Sequence, residues 1–187
     1  QDLLRRRKMR YAYKGFNKDL TCTMGKGTFQ YEPRVWYRED KAHCAKDGFH
    51  ATDNPLDVLD YYRNGRYFIV ELSGNIDEDG YNTRISAPEI RLIKELTKLE
   101  LIREGVMWLV NHPDMKSDSV VRNKGTASDG YVIVRGRSPV AAGGKGATVF
   151  LIKENKSGEI TECAEYPIDG KKYLPDTYYD VKGRKVR

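Results

Sequence analysis

The chain has 187 residues, of which 39% are hydrophobic and 32% charged, and its net charge is +6. That length fits one domain, or one domain with a small appendage. No apolar run approaches the ~18 residues that a membrane-spanning helix needs, so no membrane partner is expected, and an aromatic share of 11% argues against a disordered chain.

Residues 1–10 form a basic arm: Arg5, Arg6, Arg7, Lys8 and Arg10 stand against Asp2, a local charge of +4. No apolar stretch follows them, so the arm does not read as a secretory signal. Tyr11 to Phe16 alternates bulky and small side chains and stops beside Gly15, as a short strand does. Gly25, Gly27 and Pro33 mark loops around Phe29–Tyr31, and Val35-Trp36-Tyr37 is a further aromatic, β-branched patch. Asn54 and Pro55 are a good N-cap and first helical residue, and Leu56, Leu59 and Tyr62 then share one face of a helix over about 54–63. After Asn64-Gly65, a strand runs from Tyr67 to Ser73 with Phe68, Val70 and Leu72 on one side. Residues 77–83 read as a loop, 90–96 as a strand and about 98–111 as a second helix that buries Leu99, Ile102, Val106, Leu109 and Val110. Gly105 inside that helix costs ~1 kcal/mol against alanine, which predicts the close approach of another element.

Polar residues 114–128 read as a linker or exposed loop, with a small β unit over 129–180. Its expected strands are 131–134, 147–153, 159–166 and 171–174, the last two joined by the hairpin signal Asp169-Gly170. Residues 181–187 close the chain as a basic tail, also +4, so the body between the two ends carries −2. The expectation for the whole is an α+β domain over 11–113, a small mixed sheet with two helices, followed by a small all-β C-terminal unit. Because the basicity sits at the ends, it points to solvated termini, or to non-specific nucleic-acid binding through phosphates, rather than to a base-reading face.

Cys22, Cys44 and Cys163 are an odd, widely spaced set, which argues against a disulfide framework and for a reducing, cytoplasmic location. Cys22, His43, Cys44 and His50 are zinc-compatible by type, but the paired short spacing of zinc sites is missing and no metal is expected. Adjacent His43 and Cys44 would point to opposite sides of a strand, which argues against a catalytic dyad. The glycine clusters 25–28 and 144–146 lack the frame of a phosphate loop. Tyr and Trp suit both protein interfaces and base stacking, and the crowd of aromatics in the first half supplies candidates for either.

The stretches Tyr13-Lys14-Gly15-Phe16, Phe29-Gln30-Tyr31-Glu32, Gly48-Phe49-His50-Ala51, Asn54-Pro55-Leu56-Asp57-Val58 and Tyr61-Tyr62 resemble an uncharacterised family found in bacteriophages, prophages and bacteria. The helix around Gly105-Val106-Met107-Trp108-Leu109 and the ending Ile168-Asp169-Gly170-Lys171 with Pro175-Asp176-Thr177-Tyr178-Tyr179 resemble that family too. Its members often carry Gly/Ser/Ala-rich repeats able to stack as a β-solenoid, and residues 125–146 look like one degenerate remnant. The resemblance implies phage or mobile-element ancestry and no stated activity. On it rests the leading expectation of a phage-associated accessory protein in the host cytoplasm that binds a host or phage protein, with host defence as one target. Tyr13, Phe49, Tyr61, Tyr62 and the arginines Arg5, Arg6 and Arg7 are its candidate binding residues.

Two alternatives stand beside it. The order strand, Gly-Phe-His-Ala-Thr, short helix, strand is similar to that of ADP-ribosyltransferases, which implies NAD as cofactor and Lys14, His50 and Glu71 near a pocket, with Asp129 as another candidate acid. No other cofactor is expected. The second alternative is a virion-associated structural protein, which solenoid-bearing relatives would suit.

Overall fold

A computed structural model describes residues 9–23, 27–40, 47–80 and 83–187. Short strands dominate its first half. In chain order these are β1 (Arg10–Phe16), β2 (Thr21–Cys22), β3 (Phe29–Gln30), β4 (Trp36–Arg38) and β5 (Phe49–Thr52). A 3-10 turn (Pro55–Asp57) leads into α1 (Val58–Tyr61). Then come β6 (Arg66–Ser73), β7 (Asp77–Glu78), β8 (Arg84–Ala87), β9 (Glu89–Leu96) and α2 (Lys98–Asn111). Seven of the strands make one sheet in the order β4-β9-β6-β1-β5-β8-β7, antiparallel throughout, while β2 and β3 form a separate hairpin.

This overturns the expected α+β class. Among the described residues the chain is mostly β, 48% strand against 12% helix, and the first sheet is neither small nor mixed. The helix expected over 54–63 shrinks to the 3-10 turn and a four-residue α-helix. Several strands are two to four residues long, too short to display an alternation of their own. β8, Arg-Ile-Ser-Ala, is a strand because β5 and β7 supply its ladder on both sides. β7 likewise lies inside the span read as a loop.

Alternation along β1 and β6 sets the core. Ala12 and Phe16 share a face with Phe68, Val70 and Leu72, and Ile85, Ile90 and Leu92 join them, all buried. Each such side chain contributes ~1.5–3 kcal/mol over leaving it in water. The other face of β1 receives α1: a Cβ on Gly15 would fall 2.8 Å from both Val58 and Tyr62. Asn54 caps the turn as expected, its side chain accepting from the Leu56 N–H at 3.1 Å. Thr97 and Glu100 cap α2 reciprocally: the Thr97 N–H donates to the Glu100 carboxylate at 2.7 Å, and the Glu100 N–H to the Thr97 hydroxyl at 3.1 Å. All eight residues central to the expected packing, Leu56, Leu59, Phe68, Val70, Leu72, Ile102, Val106 and Leu109, are buried.

The chain divides into two compact units, residues 1–105 and 106–187. The second contains β10 (Val120–Thr126), β11 (Tyr131–Ala142), β12 (Thr148–Glu154), β13 (Ile160–Pro167), β14 (Tyr178–Asp180) and β15 (Lys185–Val186). β10 runs through the segment read as a linker. Its exposed, polar composition hid it, and parallel pairing with β11 makes it a strand.

β10, β11 and β12 are parallel neighbours although only short turns join them. Ordinary parallel pairs need a crossover of a dozen residues or more. Here Val120 faces Ile133, Lys124 faces Val140 and Tyr131 faces Thr148, offsets of 13, 16 and 17 residues. The chain therefore returns to its own start once per offset, as successive coils of a β-solenoid. Val132, Val134, Ala141, Ala147, Val149 and Leu151 fill the coil.

Antiparallel β13 closes β12, and β14 with β15 closes the second half of β11. One more expectation fails here. Residues 171–174 form no strand, because the Asp169 carboxylate takes the N–H groups of Lys171 at 2.8 Å and Tyr173 at 3.1 Å, making a turn where a ladder was expected. The basic tail is largely solvent-exposed and also paired: β15 pairs with β14, and Asp180 accepts from the Lys182 and Arg184 N–H groups at 2.9 and 3.0 Å.

Candidate functional site

β1 places Lys14 between Ala12 and Phe16 on the core face, where it is only 7% exposed. Its Nζ donates to the His50 carbonyl at 2.6 Å. It also lies 5.5 Å from the centroid of the Phe16 ring and 5.8 Å from that of Tyr31, a cation–π setting. Burial pushes the Lys14 pKa down, and charge at Cys22 partly restores it.

Cys22 reaches this lysine because the chain reverses tightly after β1. Asn17 N–H donates to the Thr21 carbonyl at 2.9 Å, Leu20 adopts φ +61°, and the Asp19 carboxylate accepts from the Thr21 N–H at 3.1 Å. The half-buried Cys22 Sγ lies 3.0 Å from the Tyr62 hydroxyl, which arrives from the end of α1. The Tyr31 pKa is driven up, first by burial and then by charge at Cys22. Four polar groups, Lys14, Cys22, Tyr31 and Tyr62, thus meet at one end of β1 beneath an aromatic wall.

His50 contributes its backbone carbonyl to this cluster. Its half-buried ring has a lowered pKa, through burial first and then the charges of Lys14 and Arg84, with Asp47 acting the other way. Glu71 is elsewhere. Lys14 pairs with Phe68 across the β1–β6 ladder, and Glu71 is three residues further along β6, so the two side chains occupy opposite faces of the sheet. There Glu71 accepts from Arg91 at 2.5 and 3.1 Å, and Arg91 in turn stacks 4.8 Å from the Trp36 ring centroid. Asp129 sits at a turn of the second unit with φ +54°. The structure brings Lys14 and His50 together and leaves Glu71 apart.

The candidate binding aromatics divide as well. Phe49 is buried among Phe29, Tyr31 and Tyr37. Tyr13 donates to Glu104 at 3.0 Å. Tyr62 belongs to the Cys22 cluster, and Tyr61 is exposed. Arg5, Arg6, Arg7, His43 and Cys44 lie outside the described residues.

Sequence reasoning passed over Cys22 as a partner of Lys14, and Phe29 as a surface residue. The spacing of Lys14 and Cys22 matches no motif. A readable signal existed all the same: in an alternating strand, a lysine falls at an inward position between Ala12 and Phe16, where it needs a buried partner.

Phe29 is 40% exposed, and its ring packs 5.4 Å from that of Tyr37. Val35, just before β4, is likewise 40% exposed, and β4 lies at the sheet edge. Among the described residues, no three His, Cys, Asp or Glu side chains gather to hold a metal, and no helix is long and apolar enough to cross a membrane.

Residues 10–104 match the model of a family described as a domain of unknown function, DUF7666. The match ends before the Gly105–Leu109 motif and the C-terminal ending. No curated protein and no solved structure matches the chain.

Proposed function

The chain belongs to the DUF7666 family, and we propose that it is a phage-associated accessory protein, working in the host cytoplasm, that acts by binding a host or phage protein. One observation carries this reading: Phe29 and Val35 are exposed beside an edge strand, with half-buried Trp36 and Tyr37 and the exposed cations Arg34 and Arg38 around them. Aromatic and arginine side chains dominate the energetics of protein interfaces, and edge strands offer unpaired backbone groups to a partner. Phage association rests on the sequence resemblance. The test is affinity capture from host extract with the wild type, Phe29→Ala and Val35→Asp. A protein retained by the wild type and lost at least ~10-fold by both variants, with melting temperatures preserved, supports the reading. Capture undiminished by both substitutions overturns it.

A second reading, an ADP-ribosyltransferase-like enzyme using NAD, draws on the contact between Lys14 and His50 across β1 and β5. It requires an acid that Glu71, paired with Arg91 on the other face, does not supply. A ligand at a hundred times its Kd stabilises the native state by ~2.7 kcal/mol, so a thermal shift with NAD or ADP-ribose decides it.

A further inference from the structure

A cleft of about 590 Å³ opens in the second unit, lined by Asn123, Arg137, Ser138, Glu154, Asn155 and Lys156. The strand register accounts for it. Arg122 faces Arg135 and Lys124 faces Val140, so Asn123 alone stands opposite Gly136, Arg137, Ser138 and Pro139. β12 pairs no further along β11 than Gly136. Arg137 and Ser138 thus leave the ladder and are exposed. Asn123 takes φ +65°, which asparagine tolerates better than most residues. Its amide lies over Gly136, where a Cβ would fall 2.4 Å from Asn123 Oδ1, so glycine there makes room for it. The turn that carries Lys156 is fixed by Asn155, whose side-chain oxygen accepts from the Ser157 and Glu159 N–H groups at 2.9 and 3.0 Å.

The charges around the cleft fall into two groups. The buried Glu154 carboxylate accepts from Arg135 at 2.6 Å and pairs with Arg122, so its charge is already answered. Arg137 and Lys156 have no ion pair or hydrogen bond among the described residues, and neither do the Asn123 amide and the Ser138 hydroxyl. With Glu159 counted beside Glu154, these four cations against two carboxylates leave a local charge of +2. A guanidinium and an ammonium together suit a phosphate dianion, the first as a bidentate fork and the second as a point charge. The volume falls within the range of small-ligand sites and exceeds what a bare phosphate fills. None of the six lining residues is aromatic, so a nucleic-acid base has no ring to stack on there, whereas sugar hydroxyls would meet amides and a hydroxyl. We propose that this cleft binds a phosphorylated sugar, with Arg137 and Lys156 on the phosphate and Asn123 and Ser138 on the sugar hydroxyls.

The test titrates the full chain with glucose 1-phosphate, glucose 6-phosphate, ribose 5-phosphate, glucose, inorganic phosphate and a short single-stranded RNA, following backbone amide shifts by NMR. At least one sugar phosphate should bind about 10-fold or more tighter than inorganic phosphate, with its largest shifts at Asn123, Arg137, Ser138 and Lys156, and glucose should bind far more weakly. Arg137→Gln and Lys156→Gln should each weaken that binding about 10-fold, the loss of one charged hydrogen bond, at an unchanged melting temperature. Lys172→Gln, which removes an equal charge from the same unit but not from the cleft lining, should bind as the wild type does. Sugar phosphates that bind no tighter than inorganic phosphate overturn the proposal. RNA that shifts the cleft residues and binds more tightly than every sugar phosphate overturns it in favour of a nucleic-acid groove. Shifts centred outside the cleft, or an affinity indifferent to both substitutions, overturn it as well.

Discussion

Gly105 lies directly against Leu56: a Cβ at position 105 would fall 2.4 Å from Leu56 Cγ. Leu56 is fully buried, and the clash involves the branch carbon of its side chain, which has no room to swing away. Alanine in a helix interior is worth ~1 kcal/mol over glycine, and overpacking a closed core costs ~1–3 kcal/mol. Gly105→Ala should therefore lower stability by up to about 2 kcal/mol in urea unfolding, and a second substitution, Leu56→Ala, should cost less on that background than on the wild type. A more stable Gly105→Ala variant would show that α2 and the 3-10 turn have space to spare.

Lys14 gives stability an unusual pH dependence. Its folded-state pKa lies below the ordinary value of 10.5, with burial the main cause. Between those two values the unfolded chain holds the proton and the folded chain does not, so stability rises with pH across that window. Measured below the range where tyrosines ionise, the wild type should become more stable as pH rises, and Lys14→Met should not show this rise. Parallel pH profiles for the two would contradict a buried, desolvated ammonium.

Tyr13, the next residue on the strand, acts with the opposite sign. Burial first, then the hydrogen bond and charge of Glu104, raise its pKa from 10.0 to about 12. Between those values the unfolded chain loses the phenolic proton first, so stability falls as pH rises. Tyr13→Phe should remove this part of the alkaline loss and cost about 0.5–1.5 kcal/mol near neutrality through the missing hydrogen bond. Absorbance titration of the tyrosinates offers an independent check, since the variant should lack one late-ionising group.

In the second unit Glu154 holds two arginines, accepting from Arg135 at 2.6 Å and pairing with Arg122. The hydrogen bond from Arg122 is the largest cause of its lowered pKa. A depressed folded-state pKa stabilises above the ordinary 4.5 and is lost as pH falls through that value and below it. Glu154→Gln should cost about 2–3 kcal/mol at neutral pH and flatten the acid limb of the stability profile. An unchanged acid limb would assign the acid sensitivity to other carboxylates.

Those sites also show how far the sequence could be read. Phe68, Val70 and Leu72 were legible because a long strand repeats its alternation, and the Asn54-Pro55 cap because it is written in two adjacent residues. The Leu56 contact of Gly105 was legible in kind, since a glycine inside a helix implies a close neighbour. β8 and β10 were not, because neighbours in space define them and their own residues are polar or mixed. Asp169-Gly170 misled because the same aspartate that favours a hairpin also captures backbone N–H groups in a turn. The Lys14 cluster stayed hidden for a related reason: it joins residues from β1, β2 and the end of α1, and no local pattern records such a meeting.

The coil formed by β10, β11 and β12 has a consequence for how this unit can vary. A stack in which each turn touches only the turns above and below is a quasi-one-dimensional object, with stability that grows by nearly equal increments per turn. β13, β14 and β15 seal one end, and the chain enters at β10. Whole turns added between β10 and β11 would lengthen the unit without altering either end, so that distance becomes a quantity set in steps, like the rungs of a ladder. Melting should run the other way, from the β10 rung toward the sealed end, with Val120–Thr126 the first stretch to lose protection from hydrogen exchange.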